Sequence, residues 1–139
     1  MTRVLRTLRA VQWSLLVSIL LYGFLGERLG PSVRGVDPAL SYIFSTLSVG
    51  IVGTILVVRR TLVQRAAASL ATQPDDKLSL GHWRTGYIVT YALSEALALF
   101  GVILRFQGAQ FQQSLLFYIG GFVLVLFFWP RQPVAAAAA

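Results

Sequence analysis

TYALSEALALFGVIL, residues 90–104, carries one carboxylate, Glu95, in a run whose other members are apolar or small. With its flank back to residue 85 the run reaches the roughly 20 residues that cross a bilayer core as a helix. Three further runs of this kind lie at residues 10–26, 38–58 and 111–129. Composition agrees with them: 56% of the 139 residues are hydrophobic and 12% charged, and mean hydropathy is +0.71. Soluble domains carry roughly 25% charged residues, so this chain has too few to cover a water-facing surface. The reading is an all-α, polytopic membrane protein. It is a four-transmembrane-helix bundle forming one domain over residues 1–130, with a cytoplasmic connection at 59–84 and a disordered tail at 131–139.

The ends of the runs carry helix signals. Asp37 followed by Pro38 is an N-cap with proline at the first helical position, and Pro130 terminates the last run. In the connection, Leu62, Val63, Ala66, Ala67 and Leu70 fall roughly on one helical face. The second helix is therefore expected to continue beyond the membrane until Gln73 and Pro74 stop it; a short helix lying on the lipid surface is the alternative.

Charge sets the orientation. Arg3, Arg6, Arg9, Arg59, Arg60, Arg65, Lys77, Arg84 and Arg131 fall on one side of the runs, against Arg28, Arg34 and Arg105 on the other. The positive-inside rule then places both termini in the cytoplasm. Trp13, Trp83 and Trp129 are expected at the cytoplasmic interface, where amphipathic rings settle. The Arg-rich start followed by an apolar core resembles a signal peptide, but no small-x-small site follows, so an uncleaved helix is expected. The net charge of +7 sits at the edges of apolar runs, as topology determinants and headgroup contacts. It forms no stripe interleaved with aromatics, which argues against nucleic acid as a partner. A single lysine, Lys77, among twelve basic residues fits a GC-rich bacterial genome, hence a bacterial inner membrane, multi-pass.

The absence of cysteine removes disulfides, thiolate nucleophiles and thiolate metal sites. One histidine, His82, cannot supply bis-histidine haem ligation. No phosphate loop, nucleophile triad or zinc motif is present. No enzyme activity, catalytic residue, metal or cofactor is expected. Glu27 and Arg28 read as a local ion pair.

Glu95 is the exception to this plainness. It lies near the middle of its run, about 15 Å from either surface at about 1.5 Å per residue. No Lys, Arg or His sits at that depth in any run. The carboxyl is then protonated, bound to a small cation, or paired across a subunit interface. Tyr91, Ala92, Ala98, Leu99 and Val102 share its helical face. Ser41, Ser45 and Ser48 form a hydroxyl stripe on the second helix, and Ser14, Ser18 and Tyr118 reach a similar depth. The expected proton- or cation-binding set is Glu95, Ser94, Tyr91, Ser45 and Ser48, with H⁺ or Na⁺ as the species held. Ser94, Ala98 and Gly101 make a small-residue stripe, and Gly120 and Gly121 do the same on the fourth helix, so close helix packing is expected there.

Residues 94–104, SEALALFGVIL, resemble the carboxylate helix of the rotor-ring proteolipid of F-type and V-type ATPases, in which glutamate is followed by Ala-Leu, an aromatic, glycine and an aliphatic run. The resemblance covers these eleven residues. It implies that Glu95 carries a proton or sodium ion and that Gly101 belongs to a close helix contact. Two functions stay open: an oligomeric, proteolipid-like proton or cation carrier, or a non-catalytic accessory subunit of a larger membrane complex. Both have the lipid bilayer as a partner, and either a homo-oligomer or other membrane chains.

Overall fold

A computed structural model describes residues 2–133. Among these the protein is all-helical: α1 (Thr2–Leu29), α2 (Pro38–Val58), a π-helical segment (Arg59–Gln64), α3 (Arg65–Thr72), α4 (Lys77–Phe106) and α5 (Phe111–Phe127). Three helices are long and apolar enough to cross a membrane: Thr2–Leu29, the continuous Pro38–Thr72, and Lys77–Phe106. A fourth apolar helix, Phe111–Phe127, is shorter. Of the tail expected to be disordered, residues 134–139 lie outside the described residues.

Helix ends follow local chemistry. The Asp37 carboxylate accepts from the Ala39 amide at 2.9 Å, satisfying one of the orphan donors of the first turn of α2. Asp76 does the same for α4, accepting from Leu78 N at 3.1 Å and from the Ser79 hydroxyl. Two of the helices overrun the apolar runs that announced them. α1 begins eight residues before residue 10 and ends three after residue 26, and α4 begins eight before residue 85. Arg, Lys and Leu are good helix formers, so the basic and leucine-containing flanks continue the helix beyond its apolar run. α5 ends at Phe127 rather than 129, since a proline disfavours helical backbone in the residue before it.

α4 is the axis of the fold. α1 and α5 pack against it and against each other, while α2, the π segment and α3 pack along it from elsewhere. Consecutive helices α1 and α2 make no close backbone approach, nor do α2 and α5. The arrangement is thus α4 with partners on different sides rather than a ring of four. Burial follows that order: 44% of the most apolar window of α4 is buried, 22% of that of α1, and only 6% of that of the helix containing α2.

The small residues of α4 are used inside the chain. A Cβ added at Gly121 would lie 2.7 Å from the Ser94 carbonyl and 3.0 Å from Ala98 Cβ. One at Gly101 would lie 2.8 Å from the Tyr118 ring and 2.9 Å from the Ser114 carbonyl. One at Gly120 meets only the Leu97 methyl at 3.3 Å. Glycine therefore sets how closely α4 and α5 approach, and Ala98 is fully buried between them.

The connection after α2 continues as one helix through the π segment to Thr72. Val63, Ala66 and Leu70 are buried, and Val63 and Leu62 press against Gly86 of α4. Trp83 is 1% exposed, packed edge-on against Tyr87 at 4.9 Å. Its place one helical turn before Tyr87 aims it into the core rather than outward. Trp13 and Trp129 do lie together, ring centroids 6.2 Å apart. At the other end, Gly108 adopts a left-handed backbone (φ +100°), and its carbonyl accepts from the amides of Arg34 and Gly35, each at 3.2 Å.

Candidate functional site

Glu95 lies on α4 where α1 crosses it. The Tyr22 hydroxyl of α1 donates to Glu95 Oε1 at 2.6 Å, a short bond of the kind made to a carboxyl oxygen. Both side chains are half-buried. Helical side chains lean toward the N-terminus of their own helix, so the Tyr22 phenol reaches back by about a turn. It meets a group some 16 Å, at about 1.5 Å per residue, from the end of α4.

The other residues expected around Glu95 go elsewhere. Ser45 and Ser48 line a separate cavity of about 310 Å³ with Leu97, Leu116 and Phe117, and Ser48 donates to its own helix at Phe44 O, 2.7 Å. Residues two apart on a helix point about 200° from each other, so the face that carries Leu97 toward α2 turns Glu95 away from it. The same side holds the Phe44–Phe100 ring contact at 5.1 Å. Ser94 is fully buried and donates to Thr90 O at 2.8 Å. Tyr91, also fully buried, donates to Phe128 O at 2.9 Å and so ties α4 to the end of α5. Of the five expected residues, Glu95 alone sits at the α1 crossing, and its hydrogen-bond partner there, Tyr22, was not among them.

Other polar links between the helices flank this pair. Gln12 of α1 is fully buried, and its amide donates to Val125 O of α5 at 2.8 Å. Toward the far end, Arg105 Nε meets Glu27 Oε1 at 3.2 Å, and its Nη1 donates to Pro31 O at 2.7 Å. This replaces the local Glu27–Arg28 pair: neighbours one residue apart do not face each other on a helix, and Arg28 instead lies over the Phe24 ring, 5.3 Å from its centroid. Arg105 is 7% exposed and reaches Glu27 because glycine at position 30 leaves room. A Cβ there would sit 2.9 Å from the guanidinium carbon.

Among the described residues no group of three or more His, Cys, Asp or Glu side chains converges as a metal site. The class so defined is an all-helical protein with membrane-length apolar helices and one carboxyl–phenol pair between two of them. No family model, curated protein or solved structure matches the chain.

Proposed function

We propose that this chain is a multi-pass membrane protein with both termini in the cytoplasm, in which Glu95, held by Tyr22, takes up and releases a proton within the bilayer. The observation that carries the reading is the 2.6 Å Tyr22–Glu95 bond in helices with no basic residue at that depth. A carboxyl in such surroundings is a functional group by default. A phenol supplies one hydrogen bond and no charge, so it suits a proton-exchanging carboxyl better than a permanent ion pair. Sodium is the weaker choice, because Ser45 and Ser48 face another cavity and leave the hard cation short of oxygen ligands. Carriage across the full membrane then needs neighbouring subunits, since Glu95 is the one carboxylate within the four apolar runs. The resemblance of residues 94–104 to the rotor-ring carboxylate helix points the same way.

The test uses the purified full chain in vesicles with a trapped pH-sensitive dye. Glu95→Gln abolishes proton flux with assembly unchanged, and a hydrophobic carbodiimide labels Glu95 in the wild type. Flux equal to wild type in Glu95→Gln overturns the reading. A second reading, an accessory subunit of a larger membrane complex, is favoured by the sparse packing of α2, buried over only 6% of its window. It predicts no flux in the wild type and a stoichiometric partner on purification from native membranes.

A further inference from the structure

At the junction of α2 and α3 the helix widens into the π segment Arg59–Gln64, a distortion that often accompanies functional positions. Arg59 opens it. Its guanidinium carbon lies 4.2 Å from the centroid of the Phe128 ring and 5.0 Å from that of Tyr87. Stacking on aromatic faces leaves the edge of the guanidinium, where all its donors point, free to bind in plane. Nη1 of Arg59 is buried and has no hydrogen-bond partner among the described residues. A buried donor without a partner is costly to the fold, and its position calls for an acceptor.

The cavity beside it measures about 540 Å³ and is lined by Arg59, Gln64, Tyr87, Trp129 and Arg131, with Leu126, Phe127 and Phe128 as its apolar wall. Every charged group in that lining is a cation. No acidic side chain lies between residues 96 and 133, so α5 and the described segment after it supply no side-chain carboxylate to the two arginines. Depth fits a lipid. Arg59 follows the 21 residues of α2, about 31 Å at about 1.5 Å per residue, which is one hydrocarbon thickness from Pro38. The cations therefore sit at headgroup level, while Leu126 and Phe127 run down toward acyl-chain depth.

We infer that this cavity binds the phosphate of an anionic phospholipid, with Arg59 and Arg131 on the phosphate oxygens, Gln64 donating from its amide, and the acyl chains along Leu126 and Phe127. Arginine's planar fork matches phosphate oxygens in a way that a point charge does not. Basic pockets between helices on the cytoplasmic side are suited to phosphorylated headgroups. The inference does not rest on proton exchange at Glu95.

The experiment measures retention of phosphatidylglycerol by the full chain in detergent, by native mass spectrometry and by thermal stabilisation, with phosphatidylcholine as the zwitterionic comparison. Arg59→Gln and Arg131→Gln are each expected to weaken phosphatidylglycerol binding about tenfold, the loss of one charge-assisted contact. Arg60→Gln removes the same charge from the adjacent exposed position and is expected to leave it unchanged. Arg131 is exposed, so its variant folds and decides the matter even where Arg59→Gln does not. Equal losses in Arg131→Gln and Arg60→Gln, or none in either, overturn the site. Glycerol phosphate tests the source: stabilisation by it alone, with phosphatidylglycerol adding nothing, overturns the lipid assignment and leaves a soluble phosphate compound as the ligand.

Discussion

Gly121→Ala adds one methyl where α5 is closest to α4. The new carbon would stand 2.7 Å from the Ser94 carbonyl oxygen, 3.0 Å from Ala98 Cβ and 3.2 Å from the Ala98 amide. Two of those atoms are backbone of a helix and cannot rotate away. Ordinary contact begins near 3.4 Å, so the helices must part by about 0.7 Å at this crossing. A gap of that size forfeits roughly a quarter to a half of the dispersion energy of the contacts it opens. Overpacking of this kind costs about 1–3 kcal/mol, while replacing a helical glycine by alanine returns up to about 1 kcal/mol. With the full offset the net expectation is a destabilisation of up to about 2 kcal/mol. Gly53→Ala is the matched comparison: nothing lies within 4 Å of its added carbon, so only the propensity gain remains and the change is neutral or mildly stabilising. Unfolding of both variants in mixed micelles, followed by circular dichroism, reads the difference. Equal stability for the two would show that α4 and α5 do not approach as described.

Three other outcomes can be checked alongside it. Tyr22→Phe removes the hydroxyl that holds Glu95 and keeps the ring, so it should cost about 0.6–1.7 kcal/mol, the range of interhelical hydrogen bonds in membranes, and Glu95→Gln should then have less further effect than in the wild type; independent, additive losses in the double variant would mean the two groups do not interact. Arg105→Ala strips both Glu27 and the Pro31 carbonyl of their donor and should destabilise by about 1–3 kcal/mol, seen as faster proteolysis of the connection between α1 and α2, whereas unchanged cleavage would refute the buried link. Asp76, whose carboxyl is held below the usual range first by the Ser79 hydroxyl and then by the Leu78 and Ser79 amides, binds its proton more weakly folded than unfolded. Its contribution to the start of α4 is therefore present above the ordinary carboxylate pKa of about 3.9 and fades as pH falls through the lower folded value; the protection of the Leu78 and Ser79 amides, measured against intrinsic exchange at each pH, should fall on acidification, and Asp76→Asn should flatten that dependence.

What the residues announced and what they concealed differ in kind. Apolar runs and caps concern one helix at a time, so Asp37–Pro38, the stop at Gln73, and the buried face through Val63, Ala66 and Leu70 were legible. Gly101 and Gly121 were legible as positions of close packing. The partner they served was not, because a small-residue stripe does not say whether the approaching helix belongs to the same chain. Partners of Glu95 were read by depth alone, which cannot tell one side of α4 from another. Ser45 and Ser48 have suitable depth but face the Leu97 side, whereas Tyr22, already inside the first run, has its backbone about a turn from the target depth and only its leaning phenol closes the gap. A long side chain ending in a hydroxyl one turn beyond the target depth was the signal to follow. Arg105 was counted as a topology charge, and nothing in its neighbourhood of sequence marked Glu27, 78 residues away, as its counter-ion.

That α1 and α2 make no close backbone approach to each other bears on how the protein comes to be made. Helices are made in chain order, and α1 and α2 are complete before either has a backbone neighbour. Each waits for α4, which gives both a place to dock. The stitch from Gly108 to Arg34 and Gly35 cannot form before α4 is complete. Assembly is thereby gated by α4, and a nascent chain halted before it would hold two helices with nothing to dock on.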